Sequence, residues 1–123
     1  MAHDHARDST LTLYRRGIEL LEEEDFEEAA APLAEAARRA PEKSSVREAL
    51  GRAYFRSGRF AAAAEEFEAV VARHQVNDYA HFCLGRALAK TGDTVRARHH
   101  LALAYNLRPD RGDYSFYLVM LGA

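Results

Sequence analysis

The sequence repeats itself at one fixed period. Gly17, Gly51 and Gly85 stand 34 residues apart, and so do Ala29, Ala63 and Ala97. The same spacing links Leu33, Phe67 and Leu101, then Ala36, Val70 and Ala104, then Leu20, Tyr54 and Leu88. Pro41 and Pro109 are 68 residues apart with Gln75 midway; Phe26 and Phe60 agree, with Thr94 in the third copy; Gly58 and Gly92 agree, with Glu24 in the first. Such a period constrains a chain more than any single motif does. Each unit must present the same surfaces to its neighbours, and stacking the units buries one continuous core. The 123 residues therefore divide into a polar tail at 1–9, expected to be disordered, three copies at 10–43, 44–77 and 78–111, and a closing helix at 112–123.

Each copy reads as two helices. The chain holds 24 Ala against 6 Val, 1 Ile and 4 Thr, a balance that favours helix over strand. The pattern predicts helices near 10–23, 26–39, 45–57, 60–73, 78–90 and 94–107, and a seventh over 113–121. Glycine inside a helix costs about 1 kcal/mol relative to alanine, so Gly17, Gly51 and Gly85 imply close helix approach, with Ala29, Ala63 and Ala97 as the expected opposing surface. Gly58 and Gly92 suit left-handed caps. Asp25 and Asp93 are placed to cap the following helices, Asp25 with Glu28 as a capping box. Pro41 and Pro109 end second helices, while Pro32 inside one predicts a kink or a later start.

The period, Leu50-Gly51 with Tyr54, Leu84-Gly85 with Leu88, Gly58-Arg59-Phe60 with Ala63 and Phe67, and the closing Pro41 and Pro109 together resemble the tetratricopeptide repeat (TPR) family. Arg16 departs from the pattern where Leu50 and Leu84 stand, Glu24 where glycine is usual, and Gln75 where proline is usual. The resemblance implies an all-α helical-repeat solenoid, a right-handed superhelix of antiparallel helix pairs with about seven helices. It also implies that the first helix of each pair lines a concave groove that binds a protein or peptide.

Projecting the family's groove columns onto this chain gives Leu11, Tyr14, Arg15, Ile18 and Leu21, then Glu48, Arg52, Phe55 and Arg56, then Tyr79, Phe82, Cys83, Arg86 and Lys90, with Phe116, Tyr117 and Met120 from the last helix. Arg52 and Arg56 share a helix face, as do Arg86 and Lys90. These four cations suit a carboxylate or acidic side chains. Tyr14, Ile18, Phe55, Tyr79 and Phe82 supply apolar wall, and aromatics with arginine are interface-enriched types. The competing reading pairs the arginines with internal acids such as Glu48 and gives the aromatics to the core. Chaperone-binding family members clamp a terminal carboxylate with Lys and Asn. The equivalent residues here are Tyr14, Ile18, Ala49, Tyr79 and Cys83, so that partnership is not expected.

The net charge of −2 averages an acidic first copy with more basic later ones, and argues against nucleic-acid binding. No apolar run reaches the ~20 residues of a membrane span. One cysteine, Cys83, allows no intrachain disulfide, so a cytoplasmic setting is expected. Fifteen Arg against two Lys suggest a GC-rich, bacterial source. The last helix is apolar nearly all round. Tyr114, Tyr117, Leu118 and Leu121 can cover the third copy, leaving Phe116, Val119 and Met120 as an expected homo-oligomer interface; a self-assembling structural unit is thus the alternative function. His3, His5, His74, His81, His99 and His100 lack zinc-ligand spacing, and no phosphate loop, paired-carboxylate or Ser-His-Asp pattern is present. Neither cofactor, metal nor catalysis is expected.

Overall fold

The computed structural model describes residues 9–121. Over these residues the chain forms seven helices: α1 (Thr10–Glu22), α2 (Phe26–Arg39), α3 (Ser44–Arg56), α4 (Phe60–Arg73), α5 (Asp78–Thr91), α6 (Thr94–Leu107) and α7 (Gly112–Met120). Each packs on the next, and α1 also touches α3, as in a stacked array of helix pairs. The expected disordered tail lies outside the described residues except for Ser9. That residue caps α1, its hydroxyl accepting from the Thr12 amide at 3.0 Å.

The glycine column does what its cost implies, but against a different surface from the one expected. A Cβ on Gly51 would sit 2.8 Å from the Phe67 ring, and one on Gly85 would sit 2.7 Å from Leu101 Cγ; at Gly17 the obstacle is Leu33. The opposing surface is therefore the Leu33/Phe67/Leu101 column. Ala29, Ala63 and Ala97, each fully buried, lie in the same core; at Gly85 the Ala97 carbonyl is a further neighbour, 3.1 Å away.

Gly58 and Gly92 adopt φ of +85° and +94° after their helices, a conformation open to glycine at no steric cost. Glu24 is forced into the same region, at φ +64°. Asp93 caps α6 through the Arg96 amide at 3.2 Å. Asp25 stands at the N-cap of α2 without a side-chain cap bond, so the expected capping box does not form. Pro32 lies within α2, which still starts at Phe26.

The core runs along the stack in three clusters. The first joins α1, α2 and α3 around Leu21, Leu33 and Leu50. The second joins α4 and α5 around Phe67, Val70 and Leu84. The third fixes α7: fully buried Tyr114 packs with Phe82, Leu101 and Ala104, flanked by Tyr117, Leu118 and Leu121. The Tyr114 hydroxyl also donates to Asp78 Oδ2 at 2.6 Å, tying α7 to the first turn of α5. The face of α7 expected to cover the third helix pair does so.

Polar pairs recur with the period as well. Arg47 reaches Glu66 at 2.9 Å and donates to the Pro41 carbonyl. One period later, His81 and His100 approach at 3.0 Å between their Nδ1 atoms, and His81 Nε2 donates to the Gln75 carbonyl at 2.8 Å. An ion pair in the second copy is thus replaced by an imidazole pair in the third. His81 is 5 % exposed, so this bonding is what satisfies both its ring nitrogens.

Candidate functional site

A cavity of about 270 Å³ opens on the side of the stack lined by first helices. Its walls are Leu21, Glu22 and Glu24 from the end of α1, Phe26 from α2, Arg52, Phe55 and Arg56 from α3, Phe67 from α4, and Tyr79, Phe82, Cys83 and Arg86 from α5. The one-turn spacing of Arg52 and Arg56 on α3, and the 34-residue offset to Arg86 on α5, bring the three guanidinium groups into one recess.

Eight of the groove residues chosen from sequence meet here: Leu21, Arg52, Phe55, Arg56, Tyr79, Phe82, Cys83 and Arg86. Tyr14 and Ile18 do not. They lie one to two turns before Leu21 on α1 and pack, half-buried, on the first core cluster. Lys90 is also separate, one turn beyond Arg86, with Nζ 5.6 Å from the centre of the Phe60 ring. Sequence reasoning missed Glu22, Glu24 and Phe26. They stand outside the groove columns, and the turn that carries the two glutamates closes one end of the recess.

None of Arg52, Arg56, Arg86 and Lys90 forms an ion pair within 4 Å among the described residues. Aromatic faces hold three of them instead, Lys90 at the Phe60 ring and two of the arginines. Arg56 lies 4.3 Å above Phe26, and Arg86 is surrounded by Tyr117 at 4.4 Å, Phe55 at 4.9 Å and Phe82 at 5.7 Å. Cation–π contact orients a guanidinium without neutralising it, so the N–H edges stay able to bond an anion. Glu48, one turn before Arg52, does not reach pairing distance; burial raises its carboxyl above the usual range and the Arg52 charge opposes this. Phe82 is 5 % exposed, so one of the expected wall residues is core first.

Chemistry at the cavity floor is quiet. Burial pushes the Cys83 thiol up to about 12, with Tyr79 beside it, so it stays a neutral thiol, not a nucleophile. Burial, then Cys83, likewise hold the Tyr79 hydroxyl above its ordinary value. His81 bonds away from Cys83, to His100 and Gln75. No group of three or more His, Cys, Asp or Glu is gathered for a metal among the described residues. No helix among them is long and apolar enough to cross a membrane.

The tetratricopeptide-repeat family profile matches residues 14–72 and 48–114, most of the chain. The chain belongs to the tetratricopeptide repeat family. No curated protein matches it as a sequence relative. Among solved structures, this TPR chain is similar to the first TPR of Spaghetti (RPAP3) bound to the HSP90 peptide SRMEEVD, at 19 % identity and TM-score 0.85, covering 92 % of this chain and 90 % of that one. It is also similar to MamA from Desulfovibrio magneticus, at 21 % identity and TM-score 0.90, covering 97 % of this chain and 67 % of MamA. The Sgt2 TPR domain of Aspergillus fumigatus gives 18 % identity and TM-score 0.81, covering 91 % of this chain and 76 % of that one. These likenesses establish an all-α helical-repeat fold, and membership of the family makes the chain a protein-interaction module.

Proposed function

We propose that this TPR module binds an acidic or carboxylate-bearing peptide segment in the recess between α1, α3 and α5. The observation that carries this reading is a set of three arginines around one cavity, without ion-pair partners among the described residues and with two of them, Arg56 and Arg86, held by aromatic rings. At about 270 Å³ the cavity falls short of the roughly 300–1,000 Å³ of small-molecule sites. It has room for one or two anchoring side chains of an extended segment. Arg52, Arg56 and Arg86 would bond the carboxylate, Phe55, Tyr79 and Phe82 would pack its apolar neighbour, and Glu22 and Glu24 would repel segments acidic throughout.

RPAP3 in the structure above holds an HSP90 peptide. Here Tyr14, Ile18, Ala49, Tyr79 and Cys83 stand at the clamp positions, so the same peptide is expected to bind poorly. The module acts without catalysis or cofactor, and nucleic acid is not its partner. The single cysteine and the arginine bias support a cytoplasmic, bacterial setting. The exposed apolar stripe of α7 supports a second reading, that of a self-assembling unit.

Fluorescence anisotropy with labelled peptides tests the groove. Arg52→Glu with Arg86→Glu should weaken an acidic peptide at least tenfold, since a charge-assisted hydrogen bond is worth about 1.5–3 kcal/mol. Unchanged affinity would refute the cationic groove.

A further inference from the structure

The two ends of the stack are not alike. In α3, Val46, Ala49, Leu50 and Ala53 face back onto the preceding helix pair, and each is at most 3 % exposed. In α5 the equivalent Ala80, Cys83, Leu84 and Ala87 are also buried. One period earlier, on α1, the same positions are Thr12, Arg15, Arg16 and Glu19, all exposed. The departure at Arg16 is therefore a polar end surface and not a packing defect. Terminal repeats need such a face to stay soluble.

The opposite end has no such face. Phe116, Val119 and Met120 are 56 %, 65 % and 66 % exposed, and their i, i+3, i+4 spacing makes one stripe along α7. Two occupants of that stripe are disfavoured by the residues themselves. A second helix seated as α2, α4 and α6 are would meet Val119, which stands in the Gly17/51/85 column, where even a single Cβ would lie within 2.8 Å of the opposing side chain. The α1 end of another copy would bring two arginines and a glutamate onto an apolar stripe, burying charge without partners.

A second α7 meets neither obstacle. The charges at the start of α7 are already paired, Arg111 with Asp113 and Arg108 with Asp110. The stripe itself carries no charge.

We propose that two copies of this chain associate tail to tail, α7 against α7, about a two-fold axis near Val119. Such a contact is self-complementary and closed: each stripe covers the other, and the polar α1 ends point outward, so growth stops at two. Tyr117 is not part of the contact, since it packs on Arg86 and Phe82 of its own copy. With three principal side chains per copy, the contact belongs to the small, transient class of interfaces.

Sedimentation velocity of the chain without peptide, at concentrations up to about 1 mM, reads the association directly and independently of the groove. A monomer–dimer equilibrium with no larger species is expected, weakened at least tenfold by Phe116→Glu or by Met120→Lys and unchanged by Arg16→Glu. Circular dichroism checks that each variant is folded. Val119→Cys should oxidise to a disulfide-linked dimer, with Cys83 too buried to compete. Mixed with Arg16→Cys it should give only Val119→Cys homodimers. A monomer at every concentration would overturn the proposal. So would open-ended oligomers, or cross-links between positions 119 and 16.

Discussion

Gly51→Ala tests the packing logic of the repeat, because two effects of known sign oppose each other there. In an exposed helix the replacement would stabilise by about 1 kcal/mol through propensity. Here the new Cβ would lie 2.8 Å from Phe67 Cε1 and Cζ, well inside the roughly 3.5–4.0 Å optimum for carbon contacts. Phe67 is 1 % exposed and enclosed by the α4–α5 core, so its ring yields only if α3 and α4 separate. Overpacking of this kind costs about 1–3 kcal/mol. The sterics win, and the net loss should be up to about 2 kcal/mol, the excess of the overpacking cost over the propensity gain. Urea unfolding followed by circular dichroism measures it. Gly51→Ala in a Phe67→Leu background should cost less than in the wild type, with a coupling of about 1 kcal/mol because the two side chains share one space. A Gly51→Ala protein more stable than the wild type would refute the close-approach account and leave propensity as the whole story.

Three further outcomes follow from individual residues. Glu24→Gly should stabilise the fold by roughly 0.5–1 kcal/mol in the same assay, since it relieves a left-handed backbone that costs a side-chain-bearing residue about 1–2 kcal/mol. Tyr114→Phe should cost about 1.5–3 kcal/mol by removing the bond to the Asp78 carboxylate, and hydrogen exchange should show α7 opening first. His100 is depressed to about 4, chiefly by burial and then by His81, His99 and Arg96, with Glu68 opposing. Its folded value lies below its unfolded one, so the stability it contributes is complete above pH 6.5 and is lost as pH falls toward 4. Urea midpoints taken across that window should fall for the wild type and fall less for His100→Gln.

The fold was legible because its determinants are periodic. Glycine, alanine and leucine columns at one spacing dictate the stack, and the ends of the helices follow from Gly58, Gly92, Pro41 and Pro109. The bare stripe at Phe116, Val119 and Met120 was legible for the same reason, as an apolar surplus on a helix with only one neighbour to cover. The errors came where a column names a position but not a direction. The glycines meet Leu33, Phe67 and Leu101 because side chains lean along the helix, which spacing alone does not reveal. Tyr14, Ile18 and Lys90 sit in groove columns yet lie a turn or more from the recess. The His81–His100 contact was missed although the period encodes it, since the same two columns hold Arg47 and Glu66; the signal lay in comparing pairs of columns, not single residues. Glu22 and Glu24 entered the site through the turn that a non-glycine residue at position 24 is made to form.

The central claim is that the recess beside Arg52, Arg56 and Arg86 is where a partner binds, and backbone-amide NMR during titration with an acidic peptide tests it most directly. The account predicts that the largest shifts fall on residues 21–26, 52–56 and 79–86, and that Arg52→Glu with Arg86→Glu abolishes them while leaving the rest of the spectrum in place. Shifts confined to the outer faces of α2, α4 and α6, or persisting in the double variant, would contradict it.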